Sequence, residues 1–107
     1  MNCERRGLRV FLDDVRPAPD GWTLVHWPSE VIALLEAGDV EELSLDHDLG
    51  HDTITGYDVL TWIEEAVALR GFRPPPTITV HSSNAVGRDR MERAIVSIRR
   101  FAERNQT

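Results

Sequence analysis

The chain has 107 residues, 41% of them hydrophobic and 28% charged, and a formal net charge of -6. These values predict one globular domain over residues 1–107, and the negative charge argues against a general nucleic-acid coat while leaving binding of a nucleic-acid end open. No apolar run is long enough to span a bilayer and the first residues do not resemble a signal peptide, so we expect a cytoplasmic protein with no membrane partner.

The apolar patterning predicts four strands and three helices, between an N-terminal arm over residues 1–7 and a frayed end over residues 105–107. In chain order, the strands are expected at Leu8–Leu12, Trp22–Trp27, Leu43–Asp46 and Thr77–Val80. A helix opened by Pro28 separates the second and third strands, a helix from Gly56 to Gly71 separates the third and fourth, and a helix capped by Asn84 follows the last. The segment between the first two strands contains two prolines and no helical period, so it predicts a loop.

This alternation favours an α/β fold, a small flavodoxin-like three-layer sandwich with a mostly parallel four-stranded sheet. Right-handed crossovers predict the strand order 2-1-3-4, with the first crossover helix replaced by a loop. Ligands of such sheets bind at the carboxyl ends of the strands, where the strand order reverses. Polar residues follow three of the predicted strands at that edge.

Aspartates follow the first and third strands and predict a cation site. Several carboxylates in one crevice repel each other strongly unless a cation lies among them. We expect Asp13, Asp14 and Asp48 to hold a divalent metal, Mg²⁺ in preference to Mn²⁺, because carboxylate oxygens suit Mg²⁺. The pattern leaves open whether Asp46 or Asp48 is the ligand, and it gives Asp46 the role of orienting His47 or a water. Asp52 is expected only to cap a loop.

Histidines at two strand ends predict acid–base chemistry. His47 and His81 follow the third and fourth strands, and imidazole titrates near neutral pH, so the pair can provide the acid and the base of a phosphoester displacement. The sequence does not decide which is which. His51 is a further candidate from the loop, whereas His26 is expected to be structural.

The start of the last helix predicts an anion site. Backbone N–H groups at a helix N-terminus point toward bound anions, and arginine provides a planar fork for phosphate oxygens. The candidate substrate-binding residues are Arg16, Ser82, Ser83, Asn84 and Arg88.

The paired acids after the first strand, an aspartate after the third and a small hydroxyl residue after the fourth resemble the receiver domains of two-component response regulators. Asp48 has the spacing to Gly56 that a receiver's phosphoacceptor has to the glycine opening its next helix. Receivers also need a lysine after their last strand, and all 12 basic residues here are arginine. Phosphorelay at Asp48 is therefore the least favoured function.

A second set of motifs resembles the cyclic-phosphate processing receiver-like family over nearly the whole chain. The matching segments are Leu12–Pro17, Trp22, Leu45–Gly50, Gly56–Asp58, His81–Asn84, Gly87, Arg88 and Met91. The resemblance implies a compact receiver-type fold and a role in opening cyclic phosphates on nucleotides or RNA ends. The resulting hypothesis is a metal-dependent phosphoesterase with a small nucleotide or RNA-end substrate. The alternative is a non-catalytic module that binds a phosphate ligand or a partner protein.

Overall fold

The computed structural model describes residues 7–50 and 54–105. The strands are β1 (Leu8–Leu12), β2 (Thr23–Val25), β3 (Val40–Leu45) and β4 (Thr77–Val80). The helices are α1 (Pro28–Ala37), α2 (Tyr57–Arg70) and α3 (Ala85–Asn105). The predictions for the N-terminal arm before Gly7, for His51 and Asp52, and for the last two residues lie outside the described residues.

The four strands form one parallel sheet in the order β2-β1-β3-β4. The predicted α/β class and strand order are therefore confirmed. The switch point lies between β1 and β3, whose carboxyl ends are neighbours. The ends of α1 and α2 are also where the sequence places them, because Gly38 and Gly71 follow them with φ of 80° and 66°, a left-handed conformation that glycine adopts without strain.

Two strand boundaries differ from the sequence-based expectation. The predicted second strand continues to Trp27, but the backbone N–H groups of His26 and Trp27 donate to the Glu30 carboxylate at 2.9 and 3.0 Å. These bonds cap α1, so β2 ends at Val25. In contrast, β3 begins at Val40 rather than Leu43, because Val40 pairs with Leu8 of β1 across the sheet.

All three helices pack against the same face of the sheet. That face carries Val10, Leu43 and Ile78 on one rung and Val25, Leu12 and Leu45 on another, and both rungs belong to the main apolar cluster. The helices contribute a further set of buried side chains to it: Val31, Leu35, Val59, Leu60, Ile63, Val67, Met91, Ala94 and Ile98. Right-handed crossovers from β2 to β3 and from β3 to β4 step in the same direction, which places α1 and α2 on one side.

The opposite face, here called the helix-free face, carries a rung of Leu24, Phe11, Ser44 and Thr79. No described helix covers it, so the described residues form two layers rather than the expected three. The physical reason is the proline-containing segment between β1 and β2, because that crossover is the one whose helix would cover this face. No described helix has the length and apolarity needed to cross a membrane.

Candidate functional site

The sheet ladder continues for one rung beyond three of the strands. The backbone N–H of Asp13 donates to Val25, that of Asp46 to Leu12, and that of His81 to Leu45, at 3.2, 3.1 and 3.0 Å. Asp13, Asp46 and His81 are therefore neighbours on one rung, directly after core-facing residues. Since side chains alternate along a strand, all three point to the helix-free side of the carboxyl edge.

The ligand atoms of Asp13, Asp46 and His81 lie within 4.8 Å of one another. This group differs from the predicted metal set, because it contains Asp46 and His81 and lacks Asp14 and Asp48. Asp14 is exposed beside Gly50, where an added Cβ would lie 2.9 Å from its Oδ2. Asp48 lies on the other side of the edge.

Asp13 is 1% exposed and is bonded on both carboxylate oxygens. Its Oδ1 accepts the backbone N–H groups of Val15 and Arg16 at 2.8 and 2.9 Å. Its Oδ2 lies 3.0 Å from Nε2 of His81 and 3.5 Å from a guanidinium nitrogen of Arg16. Burial alone raises the pKa of Asp13, but these backbone bonds and His81 outweigh it, so the pKa lies below the usual 3.8. Asp13 is therefore ionised at neutral pH.

Asp46 has the opposite electrostatic character. It is 8% exposed, and its pKa is raised above 3.8 by burial and then by the negative charge of Asp13. Its backbone carbonyl packs against Gly56, leaving no room there for a side chain. An ionised Asp46 is therefore costly in the folded protein, and a nearby positive charge would relieve that cost.

His81 is fixed at both ring nitrogens. Its Nδ1 lies 2.7 Å from the Ser44 hydroxyl and its Nε2 lies 3.0 Å from Asp13. Its ring stacks on Phe11, with centroids 4.1 Å apart and planes 5° from parallel. In this protein His81 can reach a ligand only by exchanging its bond to Asp13 or to Ser44.

His47 lies on the helix side of the same edge. Its Nδ1 is 2.9 Å from Oδ1 of Asp48, and the side-chain amide of Asn84 lies 3.4 Å from both Asp48 oxygens. The imidazole rests on Gly87 in the first turn of α3, where an added Cβ would lie 2.5 Å from its Cγ. No described residue is hydrogen-bonded to its Nε2. A carboxylate on one nitrogen, and a second nitrogen that bonds to none of the described residues, suit a general base.

The predicted phosphate-binding residues differ in what remains available to a ligand. Ser82 is buried and accepts the N–H of Asn84 at 3.1 Å, and Asn84 caps α3 by accepting the N–H of Gly87 at 3.0 Å. These two side chains build the turn. Ser83 and Arg88 are exposed. Arg16 donates to the carbonyl of His81 at 2.8 Å, with its side chain still 49% exposed.

The sequence analysis missed two residues that shape the site, Ser44 and Phe11. Ser44 has a recoverable signal, since it is a small polar residue between two core leucines and two positions before Asp46. Gly87 was already named among the residues of the family resemblance. The stacking of Phe11 on His81 depends on three-dimensional placement and has no sequence signal.

His26, expected to be structural, has its Nδ1 3.1 Å from the backbone carbonyl of Asp13.

A cavity of about 420 Å³ lies at the opposite, amino edge of the sheet. It is lined by the end of α1, the start of β3 and residues Phe72–Pro76. None of the predicted site residues lines it. The predicted site residues therefore lie at the carboxyl edge and not in this cavity.

Among known proteins, no curated protein and no solved structure matches this chain. A family model matches residues 8–97, a span that includes every strand and all of the site residues described above. The chain belongs to the cyclic-phosphate processing receiver domain family.

Proposed function

We propose that the protein is a metal-assisted phosphoesterase that opens cyclic phosphates of nucleotides or RNA ends. The observation that carries this proposal is the carboxyl edge itself. A buried Asp13–Asp46–His81 group lies on one side of it, and the His47–Asp48 pair lies on the other. A phosphate seated over the edge would have a carboxylate-supported imidazole on one side and a second imidazole on the other.

The residues fit a divalent cation at Asp13 and Asp46. Two carboxylates are a usual protein contribution to an Mg²⁺ site, with waters completing the shell. The weak 3.5 Å contact of Arg16 to Asp13 is the one that a cation would displace, and the raised pKa of Asp46 marks a carboxylate short of positive charge. Asp46 thus replaces Asp14 and Asp48 as the proposed companion of Asp13. A bound cation would offset the charge on the phosphate and on the leaving oxygen.

His47 is the proposed base. Water attacks phosphorus, its proton passes to Nε2 of His47, and the Asp48 carboxylate stabilises the resulting imidazolium through Nδ1–H. Asn84 positions Asp48 for this role through its side-chain amide.

His81 is the proposed acid, on the side where an in-line leaving oxygen departs. One P–O bond of the ring breaks, and the freed sugar oxygen takes the Nε2 proton of a His81 imidazolium, which becomes a neutral imidazole still bonded to Ser44 through Nδ1. The products are a phosphomonoester and a free hydroxyl, and both histidines return to their starting states by proton exchange with solvent. Arg16 holds a phosphate oxygen with the exposed part of its guanidinium.

The test is turnover of 2′,3′-cyclic nucleotides with Mg²⁺, with Mn²⁺, and with a chelator. We expect metal-dependent release of a phosphomonoester that is lost in His47→Gln and in Asp13→Asn. His26→Gln is the matched histidine control, since the ring of His26 is hydrogen-bonded, among the described residues, to a backbone carbonyl alone, and it should retain most of the activity. Turnover that survives both site substitutions would contradict the proposal.

The same assay separates the two alternatives. Binding of adenosine 3′-monophosphate without turnover of any cyclic phosphate would favour the non-catalytic module. Incorporation of phosphate from acetyl phosphate at Asp48 would favour phosphorelay, which we do not expect because the sequence contains no lysine.

A further inference from the structure

We propose that the helix-free face beside His81 is a nucleobase-binding subsite in which Trp22 is the stacking residue. This inference deepens the proposed function and rests on it, because it assigns the substrate to the class of base-bearing cyclic phosphates. The starting observation is a row of three rings. Phe11 stacks on His81 at 4.1 Å and forms a T-shaped pair with Trp22, with centroids 6.2 Å apart and planes 77° apart.

Trp22 is the outer and partly exposed member of this row. Its backbone N–H donates to Pro19 at 3.1 Å, which fixes the residue just before β2. Leu24, on the same rung as Phe11, is 38% exposed beside it. Together these side chains present an apolar and aromatic surface on a face that no described helix covers. An aromatic face of this kind binds bases of any sequence, because every base has a π-face.

The row leads directly into the groups proposed to bind phosphate. His81 at one end of it touches Asp13, and Arg16 donates to the carbonyl of the same histidine. A ligand that lies along the row therefore has its ring system on Trp22 and its anionic end at Arg16. That arrangement, aromatic at one end and anionic at the other, is the chemistry of a nucleoside phosphate.

The size of the surface favours a single base over a macromolecular partner. Two residues before Phe11 along β1, Arg9 pairs with Glu42 of β3 at 2.8 Å on the same face. This ion pair ends the apolar surface after one rung of the sheet. A partner strand or helix would need a longer apolar contact than that.

The experiment compares two cyclic phosphates, adenosine 2′,3′-cyclic phosphate and the base-free glycerol 1,2-cyclic phosphate. The measured quantity is the ratio of their kcat/KM values in the wild-type protein, in Trp22→Leu and in Trp62→Leu. Leucine keeps apolar bulk against Phe11 but removes the π-face. Trp62 is the matched control, because it packs on Phe72 on the helix side of the molecule.

We expect the wild type to prefer the adenosine substrate and Trp22→Leu to lower that preference by roughly tenfold, within the range of base–aromatic stacking. Trp62→Leu should leave the ratio unchanged. An unchanged ratio in Trp22→Leu, or a wild type without preference, would overturn the subsite.

If neither substrate is turned over, the proposed phosphoesterase activity fails and a binding measurement decides the subsite separately. Adenosine 3′-monophosphate and glycerol phosphate are then compared by calorimetry. Tighter binding of the adenosine ligand that is lost in Trp22→Leu supports the subsite, and equal binding of the two ligands overturns it.

Discussion

The two sides of the carboxyl edge differ in how their functional groups are held. On the helix-free side, Asp13 and Asp46 are buried and His81 is bonded at both ring nitrogens, so each group is tied to the sheet. On the helix side, the Asp48 side chain is 59% exposed and His47 has a bond at one nitrogen among the described residues. The first arrangement suits groups that fix charge and geometry. The second suits a group that must exchange a proton with a ligand and then with water.

The largest expected effect separates the two histidines. His47→Gln should lower kcat by about 10² to 10⁴-fold, the usual range for a general base, while changing the unfolding free energy little. His81→Gln should lower both kcat and stability, because the ring joins β1, β3 and β4 through Asp13, Ser44 and its own strand. Chemical denaturation measured beside the kinetics checks the contrast. Equal destabilisation by the two substitutions would remove the distinction between the sides.

Gly87→Ala tests whether α3 positions His47. The added Cβ would lie 2.5 Å from Cγ of the imidazole, so the ring must move. A displacement near 1 Å can cost about 100-fold in rate, whereas alanine inside a helix is more favourable than glycine by about 1 kcal/mol. We therefore expect a large loss of kcat in a protein that melts no lower than the wild type. Val86→Ala, an exposed neighbour in the same turn, is the control and should leave kcat unchanged.

Asp46→Asn tests the helix-free side through the pH dependence of the unfolding free energy. Because the folded protein raises the pKa of Asp46, this group favours folding fully below pH 3.8, and that contribution is lost as the pH rises through the raised pKa. The asparagine variant does not have this loss. It should be more stable than the wild type at neutral pH, by an amount that grows above pH 3.8, while its turnover falls. Urea unfolding at a series of pH values measures this, and a variant less stable at pH 7 would contradict it.

For Asp13, the pH dependence of the unfolding free energy has the opposite sign. Its pKa is lowered in the folded state, so its contribution is present above pH 3.8 and is lost as the pH falls through the lowered pKa. Asp13→Asn should therefore destabilise the protein at neutral pH, and its deficit should shrink in acid. The same urea series measures both substitutions. The opposite pH trends for two adjacent aspartates are the observation that would confirm their different roles.

The smallest expected effect is that of Ser44→Ala. This change removes the hydroxyl at 2.7 Å from Nδ1 of His81, and losing one buried hydrogen bond costs about 1 kcal/mol. Unfolding free energy measures the cost, and Thr79→Ala, on the same rung but exposed, should cost less. A loss of kcat beyond what the loss of stability explains would indicate that Ser44 also orients the His81 ring.

Much of the fold follows from local sequence signals. The two glycine helix ends, the strands Leu8–Leu12 and Thr77–Val80, and the strand order all follow from patterning and chain connectivity. The start of β3 was not predicted, because Glu41 and Glu42 conceal a strand that pairing with β1 stabilises. The number of layers also differs from the prediction. A loop in place of the first crossover helix leaves one face of the sheet without a described helix, although the sequence analysis predicted three layers.

The site could be predicted as an edge but not as a set of contacts. Polar residues that follow parallel strands share a crevice, and this rule predicts that Asp13, Asp46 and His81 lie at the same edge. It could not place Asp46 rather than Asp48 beside Asp13, because that depends on which residue occupies the first rung past the strand. The opposite orientation of His47 follows from the same alternation, so the strand end at Leu45 determines the roles of three consecutive residues.

The continuation of the ladder beyond the strands has a consequence for dynamics. The amides of Asp46 and His81 donate to Leu12 and Leu45, the last residues of β1 and β3, so we expect them to exchange with deuterium only when the carboxyl ends of these strands open. The backbone that carries the carboxylate and the imidazole is therefore fixed before any ligand arrives, and the reorganisation left to ligand binding is an exchange of side-chain hydrogen bonds.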